Sequence, residues 1–246
     1  MLHGWGMNLR VFDPLRAQLA AQETRAIDLP GHGRSPWWPG AFNFETLCAA
    51  VLDALPPRCR LLGWSLGAKV ALALAARAPT RIAALVLISA TPKFAQSEDW
   101  PQGMAQESLR AFCRVLEQDW QQTLTDFVWL QVRGSQQAEA VAAHLQAMLA
   151  QHGEPRHEAL LAGMQLLETI DLRAQVSQVR QPVLLLAGRN DRVTSPAAAQ
   201  WLAETLPDAR LRILPRAGHA PQLSHTAEVA AAIEEFLASS AVETAS

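Results

Sequence analysis

Along the chain, short apolar runs alternate with longer stretches of helical periodicity, the pattern of parallel βαβ units. The runs at Thr24–Asp28, Cys59–Trp64, Ala83–Ser89, Val183–Ala187 and Leu211–Leu214 predict strands, covered on both faces as parallel strands are. Apolar positions at helical spacing mark Leu9–Ala20, Phe44–Leu55, Leu66–Ala78, Pro196–Leu206 and Ala227–Leu237. The alternation stops between about Phe94 and Leu166. There helix follows helix, carrying Trp100, Trp120, Phe127 and Trp129. Such an insertion predicts a cap over the carboxyl edge of the sheet, where open α/β sheets bind their ligands. The expected organisation is a core of residues 1–93 and 167–246 with helices on both faces of a mostly parallel sheet. The cap, residues 94–166, follows the strand near 83–89. The small, polar tail "ASSAVETAS" predicts a frayed end.

Composition narrows the class without naming a reaction. The 246 residues are 50% hydrophobic and 18% charged, enough to bury a large core. A net charge of −2 gives no reason to expect nucleic-acid binding. Cys48, Cys59 and Cys113 lack C-x-x-C spacing and are odd in number, so neither a disulfide framework nor a zinc site is indicated. No apolar run is long enough to span a bilayer, and "MLHGWGMNLR" lacks the basic start and apolar core of a signal peptide. The expectation is a cytoplasmic monomer with no membrane contact.

The chemistry begins at Gly63-Trp64-Ser65-Leu66-Gly67, a G-x-S-x-G between a predicted strand and a predicted helix. A turn that sharp leaves no room for flanking side chains and holds the serine strained with its hydroxyl exposed. The following helix aims its first N–H groups at the same point, where an oxyanion would form. A serine nucleophile needs a base, and the base an orienting acid. Asp191, in "PVLLLAGRNDRVTSP", and His219, in "LRILPRAGHAPQLSH", each follow a predicted strand and so share the sheet edge with Ser65. Asp191 could instead be a turn or cap residue, and His219 an exposed loop histidine. His225, in "SHTAEV", reads as a helix start and is the poorer base. "LHGWG" at Leu2–Gly6 offers a second oxyanion donor, the Trp5 N–H, to pair with that of Leu66. Trp5 and Trp64 would line the entrance to the site. "DLPGHGRS" at Asp28–Ser35 is a shaped loop near the same edge and not a phosphate-binding pattern.

Together and in this order, HGWG, DLPGHGRS, GWSLG, GRNDRV and AGHAP resemble the α/β-hydrolase superfamily over nearly the whole chain. A narrower resemblance is to the pimeloyl-[acyl-carrier protein] methyl ester esterases of biotin synthesis. It rests on "LHGWGMN", "LGWSLG", "ATPKFAQSEDWPQGM" and "LLETIDLR" at Leu166–Arg173. The resemblance implies that Ser65 attacks the ester carbonyl, that His219 removes its proton and later activates water, and that Asp191 orients the imidazole. It places the oxyanion on the Trp5 and Leu66 N–H groups and Phe127 against the acyl chain, with plain core packing the competing role for Phe127. A serine at the elbow excludes the dehalogenase and epoxide-hydrolase branches, and the triad requires no metal and no organic cofactor.

Two features depart from that family. The fold normally sets a hairpin and a central strand before the H-G loop, whereas only Met1 and Leu2 precede His3. The N-terminal strands are therefore expected to be missing, and the true start upstream. The second departure concerns the partner. An acyl-carrier protein is acidic, and family members meet it with arginines on the cap, whereas the corresponding positions here carry Gln122, Asp126, Glu139 and Ala143. Between Ala95 and Gly163 nine carboxylates face four arginines, a net of −5. Such a cap should repel an acidic carrier unless the four arginines converge. Two alternatives to the biotin-pathway esterase stay open: a general short-chain carboxylesterase or lactonase on free substrates, and a catalytically silent binding protein.

Overall fold

The computed structural model describes residues 1–19, 22–38 and 42–243 of the chain. A 3₁₀ turn at Leu9–Phe12 runs into α1 (Asp13–Gln18), and α2 (Phe44–Ala54) follows. Then come β1 (Cys59–Trp64), α3 (Leu66–Arg77) and β2 (Ile82–Ile88). Four helices succeed one another: α4 (Gln106–Gln118), α5 (Trp120–Val132), α6 (Ala138–His152) and α7 (His157–Thr169). The short α8 (Arg173–Val176) leads back to β3 (Val183–Gly188), α9 (Pro196–Thr205) and β4 (Ala209–Leu214). The chain closes with α10 (Pro221–Ser224) and α11 (Thr226–Glu243). Residue 20 of the predicted first helix and residues 244–246 of the predicted frayed tail lie outside the described residues, and up to Glu243 the tail continues α11 as helix.

Sequence explains most boundaries. Asn43 accepts the N–H of Thr46 and starts α2, while Ser195 and Pro196 start α9 as cap and first-turn proline. All four strands are parallel, in the order β1-β2-β3-β4. Every residue of β3 is buried, as its unbroken apolar run requires, and α3 packs across β1 and β2. The predicted strand at Thr24–Asp28 is reduced to one bridge, Ile27 to Leu2. Its neighbour is a single residue wide: Leu2 bridges Ile27 on one side and Gly63 on the other, so no longer ladder can form. Leu2 still exchanges hydrogen bonds with β1, to Leu62 O at 2.8 Å and from Trp64 N at 3.0 Å. Below it, beside Cys59–Leu62 and Thr24–Arg25, lies a groove of about 680 Å³.

The segments leaving β2 and returning to β3 meet in a stem. Lys93 bridges Asp171, Leu172 N–H donates to Pro92 O, and Arg173 pairs with both Asp99 and Asp171. Trp100 packs edge-on against Trp201 with Arg173 over its ring. The two stretches "ATPKFAQSEDWPQGM" and "LLETIDLR" are therefore one contact seen twice in the sequence. Lys69, from α3, locks it: its buried Nζ donates to Pro92 O at 3.0 Å and to Ile170 O at 2.9 Å. Burial lowers its pKa to about 7.

Candidate active site

Ser65 sits at the β1–α3 junction with φ 55° and ψ −114°, a conformation that costs a non-glycine residue on the order of 1–3 kcal/mol. The neighbouring glycines make it attainable. A Cβ on Gly63 would collide with the Gly67 carbonyl, and one on Gly67 with the Leu2 carbonyl. Ser65 lines a cavity of about 480 Å³ together with Trp5, Phe112, Phe127, Met164 and Asp191. That size lies within the range of small-ligand sites. Its wall is largely aromatic: Trp5 meets Phe127 edge-on at 5.0 Å and Phe112 at 5.6 Å.

Asp191 and His219 lie on the loops after β3 and β4, as the order of strands predicts. The His219 Nδ1–H donates to Asp191 Oδ2 at 2.8 Å, and both side chains are buried. Asp191 Oδ1 accepts the N–H groups of Val193 and Thr194 at 2.8 and 2.9 Å, and Oδ2 also accepts the Thr194 hydroxyl at 2.9 Å. Burial alone would raise the carboxyl pKa. Its electrostatic interaction with His219 and the hydrogen bonds from His219 and from the Thr194 and Val193 N–H groups outweigh burial and hold it below the ordinary carboxylate value. Asp191 is thus fixed as an anion. With Nδ1 committed, the other ring nitrogen of His219, Nε2, is buried without a hydrogen-bond partner among the described residues. The backbone is held as firmly: His219 O accepts from Trp64 Nε1 at 2.7 Å and Ser89 Oγ at 2.9 Å, and its N–H donates to Gln131 O at 2.8 Å.

The loop before Met7 is shaped by two buried imidazoles. His3 donates through Nδ1 to Gly4 O and accepts the Leu29 N–H at Nε2, at 2.8 and 2.9 Å. His32 accepts the Gly6 N–H at 3.3 Å and faces Pro30 O at 3.0 Å. Burial, aided by their mutual repulsion, lowers His3 to about 3, and burial lowers His32 to about 4. Both are neutral near pH 7, which leaves each a nitrogen to accept with. Among the described residues the N–H groups of Trp5 and Leu66 donate to no protein acceptor. Leu66 is the first residue of α3, where N–H groups are free by geometry.

The structure brings Ser65, Asp191, Trp5 and Phe127 to one cavity and sets His219 against Asp191 behind it. It does not place Trp64 at the entrance. As the last residue of β1, Trp64 points into the core, is fully buried and carries the His219 carbonyl on its indole N–H. The Leu66 side chain is buried as well and is not part of the cavity wall, so only its N–H is on offer. His225 bonds Ser224 at the start of α11 and stays clear of Asp191. Sequence reading missed Ser89, Thr194 and Phe112. Thr194 alone left a signal, a hydroxyl three residues after Asp191 in a turn.

These features define a member of a hydrolase class. The α/β hydrolase fold family matches residues 1–226, and the chain belongs to that family. Among solved structures, an esterase from Exiguobacterium antarcticum superposes with a TM-score of 0.85 at 20% identity, covering 96% of this chain and 90% of that one. Two sequence relatives are more specific. The pimeloyl-[acyl-carrier protein] methyl ester esterase of Nitrosomonas europaea is 43% identical over 225 residues, 91% of this chain and 89% of that protein. The protein of the same name from Aromatoleum aromaticum is 41% identical over 243 residues, 96% of each.

Proposed function

We propose that this chain is a serine carboxylesterase that hydrolyses the methyl ester of pimeloyl-acyl carrier protein in biotin synthesis, with residues 94–166 as its cap. The observation that carries the reading is the buried Asp191–His219 pair with an uncommitted Nε2, beside a serine held at φ 55° on the wall of an aromatic cavity. The names of the relatives supply the substrate. Ser65 Oγ attacks the ester carbonyl while His219 Nε2 takes its proton, and the anionic oxygen settles on the N–H groups of Trp5 and Leu66. Collapse breaks the bond to the methoxide oxygen, which takes the proton from His219 and leaves as methanol. Water, deprotonated by the same nitrogen, then attacks the acyl-enzyme; His219 returns that proton to Ser65 Oγ as it leaves, and the free carboxylic acid is released. Phe127, with Trp5 and Phe112, packs the methylene chain. No step needs a metal or an organic cofactor.

The test is to incubate the protein and its Ser65→Ala variant with the methyl ester of pimeloyl-acyl carrier protein and follow loss of the methyl group by mass spectrometry. Conversion by the first and not by the second is expected. Failure to convert it, with a short free ester still hydrolysed, would assign the fold to other esters.

A further inference from the structure

Three segments distant in sequence are stitched together beside the cavity. The turn after α5, residues 131–136, is bound to the loop after β3 by Asn190 Nδ2 donating to Gly134 O at 2.8 Å. It is bound to the loop after β4 by Gln136 N–H donating to Arg216 O at 2.8 Å and Gly218 N–H to Ser135 Oγ at 2.7 Å. The last two loops join through Arg189 N–H to Leu214 O and Asn190 N–H to Ala217 O, both 2.9 Å. Each segment carries exposed arginine: Arg133, then Arg189 and Arg192, then Arg216. None of the four forms an ion pair among the described residues. The one carboxylate within these segments, Asp191, is buried and committed to His219. Glu139, near the start of α6, is the next acid along the chain and pairs with none of them.

Segments stitched this closely gather four positive charges, and among the described residues no ion pair offsets them. Arginine is also the side chain whose planar fork matches carboxylate and phosphate. One member, Arg192, lines the cavity that holds Ser65, so the charged face runs up to the mouth of the site.

We infer that Arg133, Arg189, Arg192 and Arg216 form the docking surface for an acidic carrier protein, at the core side of the cavity mouth rather than on the cap. The inference rests on the proposed carrier-linked substrate and says where that carrier sits. It also resolves the acidic cap. Arg110 and Arg114 on α4 are flanked by Glu107 and Glu117, whereas the other rim is uniformly positive. An acidic partner repelled by one rim and drawn to the other is oriented as well as attracted, and its acyl arm is delivered past Arg192.

The test compares the wild type with an Arg133→Glu/Arg189→Glu/Arg216→Glu triple variant and an Arg110→Glu/Arg114→Glu control. Two substrates are used, the carrier-linked methyl ester and the same acyl group on a small thiol. The triple variant should lose at least ~10-fold in kcat/KM on the carrier-linked ester at low salt, and little at about 0.5 M salt, where charges are screened within a few ångströms. Its rate on the small-thiol ester should be unchanged; the control should match wild type on that ester and lose far less than the triple variant on the carrier-linked one. A second reading needs no variant: wild-type kcat/KM should fall with salt for the carrier-linked ester only. An unimpaired triple variant, a loss in the control instead, or a salt-independent wild type would each overturn the docking surface. A wild type that cleaves the small-thiol ester but never the carrier-linked one would overturn the substrate assignment itself, and the surface with it.

Discussion

Asp191→Asn tests the proposed orienting role of the carboxylate with little change of shape. The amide oxygen can still accept the N–H groups of Val193 and Thr194 in place of Oδ1. Its NH2 then occupies the place of Oδ2, where two donors point in the wild type, the Thr194 hydroxyl and His219 Nδ1–H. Thr194 has an alternative, since Ser89 O lies 3.1 Å from its oxygen. His219 has none. The imidazole must give up its Nδ1 proton and carry it on Nε2, so the nitrogen that should act as base arrives already protonated. Loss of one hydrogen bond to a charged acceptor costs roughly 1.5–3 kcal/mol of stability. The catalytic cost is larger, on the order of 10⁴ in kcat, as in other triads, or about 5.5 kcal/mol of barrier. The assay is steady-state hydrolysis of a p-nitrophenyl ester between pH 6 and 9, with a thermal melt alongside. A folded variant within tenfold of wild-type kcat would refute the assignment of Asp191 and point to a different acid.

Other predictions bear on the frame around the site. Gly63→Ala should destabilise the protein by more than about 2 kcal/mol, because the new methyl meets the backbone of Gly67 and Ala68 rather than a side chain that could turn away; a melting temperature within two degrees of wild type would contradict this. Lys69→Met should change how stability depends on pH. The unfolded amine titrates near 10.4 and the folded one near 7, so between those values the unfolded chain holds the extra proton. Stability therefore rises with pH there, by roughly 1.4 kcal/mol per unit from this group alone. Denaturant titrations from pH 7 to 10 should show the wild type gaining steadily on the variant, and a constant gap would mean that Lys69 titrates normally.

What the sequence disclosed, and what it withheld, divides along a physical line. Elements read well where one segment decides its own structure: the apolar runs at Cys59–Trp64 and Val183–Ala187, the cap residue Asn43, the glycines about Ser65. The placement of Ser65, Asp191 and His219 on one side of the sheet was legible because parallel topology puts every strand's carboxyl end on one edge. Thr24–Asp28 misled because a strand needs a neighbour, and Leu2 supplies one residue of it. Trp64 misled because adjacency to the nucleophile in sequence is not adjacency to its cavity: Trp64 ends the buried strand, and the sharp turn at Ser65 aims the next side chain elsewhere. Ser89, which holds His219 across 130 positions, and the face shared by Arg133, Arg189 and Arg216 depend on contacts that only the folded chain makes.

In the proposed mechanism the Asp191–His219 pair activates Ser65. A serine-directed fluorophosphonate tests it most directly, by intact-protein and peptide mass spectrometry on the wild type, Ser65→Ala and Asp191→Asn. One adduct per chain is expected, on Ser65, absent in Ser65→Ala and formed far more slowly in Asp191→Asn. Ester hydrolysis by a wild type that takes no adduct at Ser65, or an adduct on another residue that alone abolishes activity, would contradict it.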